Sequence, residues 1–263
     1  MEKISSLQNG RIKNLKLLSE KSSERKASGL FVVEGLKECM MALQGAYEIV
    51  ELYFNERYTL NELYHLYSNS NVPLFELTDA VFSKAAYRES TSEVIALMKM
   101  KTHSLSQLKL SDNPLLIALE SVEKPGNLGA VIRTIDAANA DAVIVCDPRT
   151  DIYNPNVIRN SVGTVFIKQL AICSNEELFQ WLQLKKIKSY AAALTATHFY
   201  YQTNLKEPTL LIFGTESNGL SPFWLDKCNE QIKIPMLGEN DSLNVSNSVA
   251  IMVYEAKRQR DFT

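Results

Sequence analysis

The chain has 263 residues, of which 46% are hydrophobic, and its formal net charge is −2. That length provides one large or two medium domains with a packed core, and the nearly neutral charge argues against a protein that coats nucleic acid. No run of about 18 apolar residues predicts a membrane helix, and the first residues lack the apolar segment of a secretion signal. We therefore expect a globular, cytoplasmic protein.

The four cysteines are scattered along the chain, at positions 39, 146, 173 and 228, and none of them forms a CxxC pair. The three histidines have no metal-ligand spacing either. We therefore expect reduced thiols, without a disulfide framework or a metal site.

Basic residues are concentrated in residues 1–26, which hold seven lysines and arginines against three glutamates. The resulting excess of four positive charges (seven minus three) fits a solvated helix face. It also fits a basic arm that contacts phosphates. A short helix is predicted over residues 5–20.

Strands and helices alternate between residues 30 and 100. Apolar strands are predicted at 30–33, 49–54, 73–77 and 94–100, with helices at 36–43, 60–67 and 82–87. This alternation is typical of a small layered α/β domain, which we place at residues 1–100. The polar segment 101–114, which ends in Asn-Pro, is predicted to be a linker.

A second α/β domain is predicted over residues 115–263. Its strands are expected at 115–120, 142–146, 165–172, 190–194, 210–213 and 231–234, with helices at 128–139, 176–186, 222–227 and 243–260. Because the strands are almost continuously apolar, they indicate a parallel sheet that is covered on both faces. The expected fold class is a doubly wound, Rossmann-like domain.

Polar motifs lie where predicted strands pass into loops: N-L-G-A-V-I-R at 127–133, G-T-E-S-N-G-L at 214–220, I-P-M at 234–236 and S-L-N-V-S at 242–246. Ligands of open α/β sheets bind at this edge. Arg133 stands in an otherwise apolar helix, so it either pairs with Asp136 or has a function. Asn127, Ser242 and Asn244 could act simply as helix caps.

These motifs resemble the three signature motifs of the SpoU family of RNA ribose 2'-O-methyltransferases, which belong to the knotted SPOUT class. The resemblance implies a deep trefoil knot in the C-terminal domain, S-adenosylmethionine as cofactor, and a homodimer with the last helix at its interface. The segments G-L-F-V-V-E-G at 29–35 and S-E-V-I-A-L at 92–97 are similar to the start and end of the RNA-binding domain, related to a small ribosomal protein, that precedes the catalytic domain in this family.

The resemblance also implies roles for individual residues. The catalytic candidates are Asn127, Arg133, Glu216, Ser242 and Asn244. Gly214, Ile234, Met236 and Leu243 are expected to hold the cofactor, mainly through backbone atoms. RNA contacts are predicted for Arg159 and Ser161 and for four residues of the basic arm, Arg11, Lys13, Arg25 and Lys26.

The hypothesis that follows is methylation of an RNA ribose 2'-hydroxyl with S-adenosylmethionine. Ribosomal RNA is favoured over tRNA, because tRNA-directed members of the family more often lack the N-terminal domain. A non-catalytic RNA-binding assembly factor on the same fold is the alternative from another class. A nucleotide-binding Rossmann enzyme is disfavoured, because the sequence has neither G-x-G-x-x-G after an early strand nor a P-loop.

Overall fold

A computed structural model of the chain describes residues 2–58, 61, 63–68, 71–87 and 94–262. The chain divides into two units. The first unit consists of Met1–Thr102 and Asp151–Ile167, and the second of His103–Thr150 and Lys168–Thr263.

Twelve strands and ten α-helices are described. The strands are β1 (Glu2–Ile4), β2 (Leu30–Glu34), β3 (Ile49–Asn55), β4 (Leu74–Leu77), β5 (Val94–Lys99), β6 (Leu115–Glu120), β7 (Ala142–Cys146), β8 (Gln169–Cys173), β9 (Lys188–Ala192), β10 (His198–Phe199), β11 (Thr209–Phe213) and β12 (Glu230–Lys233). The helices are α1 (Gly10–Glu20), α2 (Ser22–Ser28), α3 (Leu36–Gln44), α4 (Tyr64–Tyr67), α5 (Asp79–Ala85), α6 (Pro125–Ala137), α7 (Pro155–Asn160), α8 (Asn175–Lys185), α9 (Pro222–Lys227) and α10 (Val245–Gln259).

The first unit is built on a mixed sheet with the strand order β1-β4-β3-β5-β2. Strands β1, β4 and β3 are parallel, and β5 runs antiparallel to β3 and β2. Helix α1 buries Ile12, Leu15 and Leu18 in the core of this unit. Strand β1 and helix α1 are therefore packed parts of the unit rather than an extended arm, and contacts of residues 1–26 with RNA stay a prediction.

The segment Asp151–Ile167 belongs to the first unit through aromatic packing. The ring of Tyr153 lies 4.3 Å from that of Phe31 between centroids, and the ring of Phe166 lies 5.1 Å from that of Tyr47. Tyr153 and Phe166 are both buried. This arrangement differs from the predicted division, which assigned the segment to the second domain because of its place in the sequence.

The second unit is built on a seven-stranded, entirely parallel sheet with the order β10-β12-β9-β11-β6-β7-β8. Every residue of β6, β7 and β11 is buried, as a sheet covered on both faces requires. The α/β class with a parallel C-terminal sheet is thereby confirmed. The predicted strand 165–172 begins later, at Gln169, because residues 164–166 form a 3-10 helix. The trefoil knot stays a prediction from the resemblance.

The predicted linker 101–114 is anchored to the second unit from His103 onward. The carbonyl of His103 accepts a 2.9 Å hydrogen bond from the Ile172 amide, and the Lys109 amide donates to the Gln169 side chain at 2.6 Å. At its end, the Asn113 carbonyl accepts from the guanidinium of Arg260 at 2.7 Å. These contacts hold the segment along the sheet rather than leaving it a free tether.

Two further features concern possible membrane and metal contacts. Of the described helices, none has an apolar stretch long enough to cross a bilayer. Within the described ranges, His, Cys, Asp and Glu side chains form no group of three that could hold a metal ion.

Cys146 and Cys173 are register partners on β7 and β8. A hydrogen bond with Cys173, together with burial, raises the pKa of the Cys146 thiol.

Candidate functional site

The loops that follow β6 and β11 meet at the carboxyl edge of the parallel sheet, because these strands are neighbours. Helix α6 begins in the first loop and carries Asn127, and the second loop carries Glu216. The Asn127 amide donates to Glu216 Oε1. Asn244, the residue that caps α10, donates to Asn127 Oδ1 and to Glu216 Oε1, each at 3.2 Å. Three of the predicted catalytic side chains therefore form one hydrogen-bonded cluster.

Lys124 is a fourth member of this cluster, and it was not predicted from the sequence. Its ammonium group forms an ion pair with Glu216 Oε2. Both oxygens of the Glu216 carboxylate are therefore engaged, one by Lys124 and the other by the two asparagines. The sequence feature that could have pointed to Lys124 is its position directly before the Pro-Gly turn of the first motif.

A cavity of about 530 Å³ opens beside the cluster, at the carboxyl ends of β9, β11 and β12. Its volume lies in the range of small-molecule sites, about 300–1,000 Å³. The lining includes all four residues predicted to hold a cofactor and two predicted catalytic residues: Gly214, Ile234, Met236, Leu243, Glu216 and Ser242. The hydroxyl of Ser242 donates to Asp241 Oδ1 at 2.9 Å, and both residues are exposed.

Gly214 stands where no side chain fits. A Cβ atom built on it would lie 2.1 Å from the backbone carbon and oxygen of Gly219, because residues 215–219 fold back in a tight turn. The close approach of two backbone segments, rather than an unusual φ angle, therefore requires glycine here.

A buried network, also missed from the sequence, supports the loop after β11. The carboxylate of Glu120, at the end of β6, accepts from the Ser221 amide and from Asn175 Nδ2, each at 2.7 Å. Asn175 in turn accepts from the Trp224 indole at 2.6 Å. Glu120 is only 4% exposed, so these donors satisfy a carboxylate that burial would otherwise destabilise. The network fixes the start of α9 against β6.

Arg133 lies outside this cluster. It is six residues beyond Asn127 on α6, so the two side chains project about 120° apart around the helix. Arg133 is exposed, and no partner for it is seen among residues 2–58, 61, 63–68, 71–87 and 94–262. The alternative of a pair with Asp136 is not realised, since Asp136 lies 4.0 Å from Lys168 instead.

The structure separates the predicted RNA-binding residues into two groups. Lys13, Lys26 and Arg159 are exposed on the first unit. Arg11 is exposed as well, but it pairs with Glu51, and its guanidinium carbon lies 4.3 Å from the centre of the Phe75 ring.

Two of the predicted RNA contacts are wrong. Ser161 is fully buried, and its hydroxyl donates to the Ile158 carbonyl at 2.9 Å. Arg25 is 1% exposed and forms an ion pair with Asp151 at 2.6 Å. Its guanidinium also donates to the Leu18 carbonyl at 2.6 Å. Both side chains are buried in the interior of the first unit, so they are not exposed to a bound nucleic acid.

Comparison with known families gives two matches. Residues 114–254 match the SpoU rRNA Methylase family. Residues 9–96 match the MRM3-like substrate binding domain.

Individual relatives extend over nearly the whole chain. A 23S rRNA (uridine(2479)-2'-O)-methyltransferase of Streptomyces viridochromogenes is 26% identical, covering 96% of this chain and 91% of the relative. The 23S rRNA (guanosine(2553)-2'-O)-methyltransferase RlmP of Bacillus subtilis (strain 168) is 27% identical, covering 98% of this chain and 100% of the relative. The structure of the SpoU methyltransferase AviRb from Streptomyces viridochromogenes with AdoMet superposes with a TM-score of 0.88 at 25% identity, over 97% of this chain and 100% of the other.

Proposed function

The chain belongs to the SpoU rRNA Methylase family, and we propose that it methylates a ribose 2'-hydroxyl of ribosomal RNA with S-adenosylmethionine as methyl donor. The observation that carries the proposal is the cluster of Asn127, Glu216 and Asn244 beside the 530 Å³ cavity. The resemblance implied these residues, and the fold brings them together from segments up to 117 residues apart.

The residues around the cavity fit S-adenosylmethionine. The ends of β11 and β12 and the segment just before α10 supply backbone groups at Gly214, Ile234 and Leu243, and Met236 adds an apolar wall. Glycine at position 214 lets the turn of residues 215–219, which forms part of the cavity wall, close against the main chain. Glu216 and Ser242 face the same cavity, so the polar end of the cofactor site adjoins the cluster.

The chemistry assigns one task to Arg133 and another to the remaining catalytic candidates. S-adenosylmethionine supplies a methyl group on a sulfonium sulfur, which keeps the electron pair when the carbon–sulfur bond breaks. The attacking hydroxyl loses its proton, so negative charge develops on its oxygen. The guanidinium of Arg133 either stabilises this oxyanion or binds a neighbouring phosphate that accepts the proton. Asn127, Glu216, Ser242 and Asn244 orient the hydroxyl.

Replacing Gly214 by alanine is expected to weaken cofactor binding strongly. The new methyl group would collide with the backbone of Gly219, and that turn shapes the cavity wall. Titration of the protein with S-adenosylmethionine should show at least a 100-fold weaker Kd, roughly 3 kcal/mol. Gly238→Ala is the matched control, because a Cβ atom at Gly238 meets nothing within 4 Å. Equal affinity of both variants would rule out this role for Gly214.

The first unit is proposed to bind the RNA. Its match to a substrate-binding domain supports this role, as do the exposed cations Lys13, Lys26 and Arg159. Phosphate contacts of this kind position an RNA without reading its sequence.

We also propose a homodimer that forms through the second unit with α10 at the interface, and a cytoplasmic location. Tyr254, near the end of α10, is 45% exposed, and a tyrosine in such a position is typical of interfaces. The mass in solution, measured by light scattering, tests the dimer, and a monomer at micromolar concentration would contradict it.

The substrate class can be tested by offering unmodified 23S rRNA and unmodified tRNA separately, with labelled S-adenosylmethionine. Label in the 23S rRNA alone is the expected result. Label in tRNA alone would favour the tRNA-directed alternative. Tight RNA binding without transfer to either RNA would favour the assembly-factor alternative.

A further inference from the structure

A second cavity, of about 320 Å³, lies next to the proposed cofactor cavity in the second unit. The two share residues 214–217 and Val245 as a common wall. On its other side the second cavity is lined by residues of the loop after β6 and the start of α6, namely Val122, Glu123, Lys124 and Asn127. The carboxylate of Glu123 is paired with Arg149. Glu216 therefore stands between the two cavities, with Lys124 on the side that the cofactor does not use.

The ion pair of Lys124 differs from the other contacts of Glu216 in how easily it can be exchanged. The Lys124 side chain is 69% exposed, and that of Glu216 is 25% exposed. Exposed ion pairs contribute little to stability, and a lysine ammonium is a mobile point charge on a flexible stem. An incoming anion can therefore take Lys124 from Glu216 without disturbing the fold.

Glu216 keeps its position when Lys124 leaves. Asn127 and Asn244 both donate to Oε1 and are bonded to each other at 3.2 Å. Asn244 is itself fixed at the start of α10, where its Oδ1 accepts from the Ser246 amide at 2.9 Å. The loss of Lys124 would thus free Oε2 alone, on the side of the second cavity.

We propose that Lys124 binds a phosphate of the RNA strand next to the target ribose, and that it exchanges Glu216 for this phosphate when the RNA enters the second cavity. Oε2 of Glu216 then accepts a hydrogen bond from a ribose hydroxyl. The ion pair seen in the structure is in this view the substrate-free arrangement. This inference rests on the proposed methyltransferase function, and it assigns to Lys124 a role in binding the RNA and none in binding the cofactor.

The test compares three variants with the wild-type protein. Lys124→Gln removes the charge, and Lys124→Arg keeps it. Lys188→Gln is the control, because Lys188 also forms an exposed lysine–glutamate ion pair, with Glu207, but lies at the start of β9, on the opposite edge of the sheet. For each protein we would measure kcat and KM for RNA, the Kd for S-adenosylmethionine, and the dependence of RNA affinity on salt concentration.

Lys124→Gln is expected to raise the KM for RNA about tenfold, the order of one charge-assisted hydrogen bond. It should also make the slope of log RNA affinity against log salt concentration (the salt slope) less steep by about 0.7–0.9, the value of one phosphate contact. The Kd for the cofactor should stay within twofold of the wild-type value. Lys124→Arg should restore the slope. The proposal would be overturned if Lys124→Gln showed the same salt slope and the same KM for RNA as Lys188→Gln. It would also be overturned if Lys124→Gln lowered kcat and left the salt slope unchanged, because Lys124 would then only hold Glu216 in place. If the wild-type protein transfers no methyl group, the proposed function itself fails.

Discussion

Replacing Arg133 by alanine is expected to slow methyl transfer about 100- to 1,000-fold, the usual effect of removing a donor that stabilises developing negative charge. This expectation follows from the role proposed for Arg133 in the reaction, although its side chain lies outside the cluster of Asn127, Glu216 and Asn244 in the structure. The structure gives the side chain no competing structural task. Arg133 is exposed on α6, and the acidic residue one turn away, Asp136, lies beside Lys168. Its removal should therefore leave the melting temperature and the Kd for S-adenosylmethionine unchanged.

Single-turnover rates of the wild type, Arg133→Ala and Arg133→Lys would measure this effect. Lysine keeps the charge but not the planar fork of donors that grips a phosphate, so Arg133→Lys should recover only part of the rate. A loss of less than tenfold in Arg133→Ala would remove Arg133 from the mechanism.

Replacing Arg25 by alanine is expected to destabilise the first unit by about 3–5 kcal/mol, the usual cost of removing one partner of a buried ion pair. Asp151 would lose its arginine partner in a position where its side chain is only 8% exposed. The carbonyl of Leu18 would also lose a donor. Thermal unfolding should show a transition lower by roughly 10–20 °C.

Lys26→Ala is the matched control for Arg25, because this neighbouring cation is exposed. It should leave the melting temperature within about 1 °C, since surface substitutions of this kind have small effects. It should also weaken RNA binding. If Arg25→Ala had wild-type stability and weakened RNA binding, the result would instead indicate that Arg25 contacts RNA.

The repeating parts of the fold could be predicted from the sequence, because their signals are local. Strands β6, β7 and β11 are continuous apolar runs between turn residues, and α8 begins with a Ser174–Glu177 capping box. Strand β1 was missed, because three residues carry too little pattern. It exists through pairing with β4, more than 70 residues away.

The unit to which a segment belongs depends on contacts that the local sequence does not record. Arg25 stands in a run of polar residues and looks exposed, but its partner Asp151 is 126 residues further along. The same distant packing, through Tyr153 and Phe166, brings residues 151–167 into the first unit. Neither the Arg25–Asp151 ion pair nor the assignment of residues 151–167 to the first unit could be predicted without knowing the fold.

For the site, the resemblance named three residues of the cluster, and their convergence follows from β6 and β11 being adjacent in the parallel sheet. Lys124 and Glu120 were missed, because each is defined by a partner from a distant loop: Glu216 in one case and Ser221 in the other. The catalytic and RNA-binding roles of the remaining residues stay predictions until variants are measured.

The most direct test of methyl transfer to the ribose is the position of the methyl group on the product. Unmodified 23S rRNA would be treated with the protein and S-adenosylmethionine labelled in its methyl group, and then hydrolysed completely with alkali. Alkaline cleavage needs a free 2'-hydroxyl, so a ribose methylated on that oxygen survives in a labelled dinucleotide. We predict that the label appears in one alkali-resistant dinucleotide. Label released in mononucleotides would place the methyl group on a base and contradict the proposed reaction.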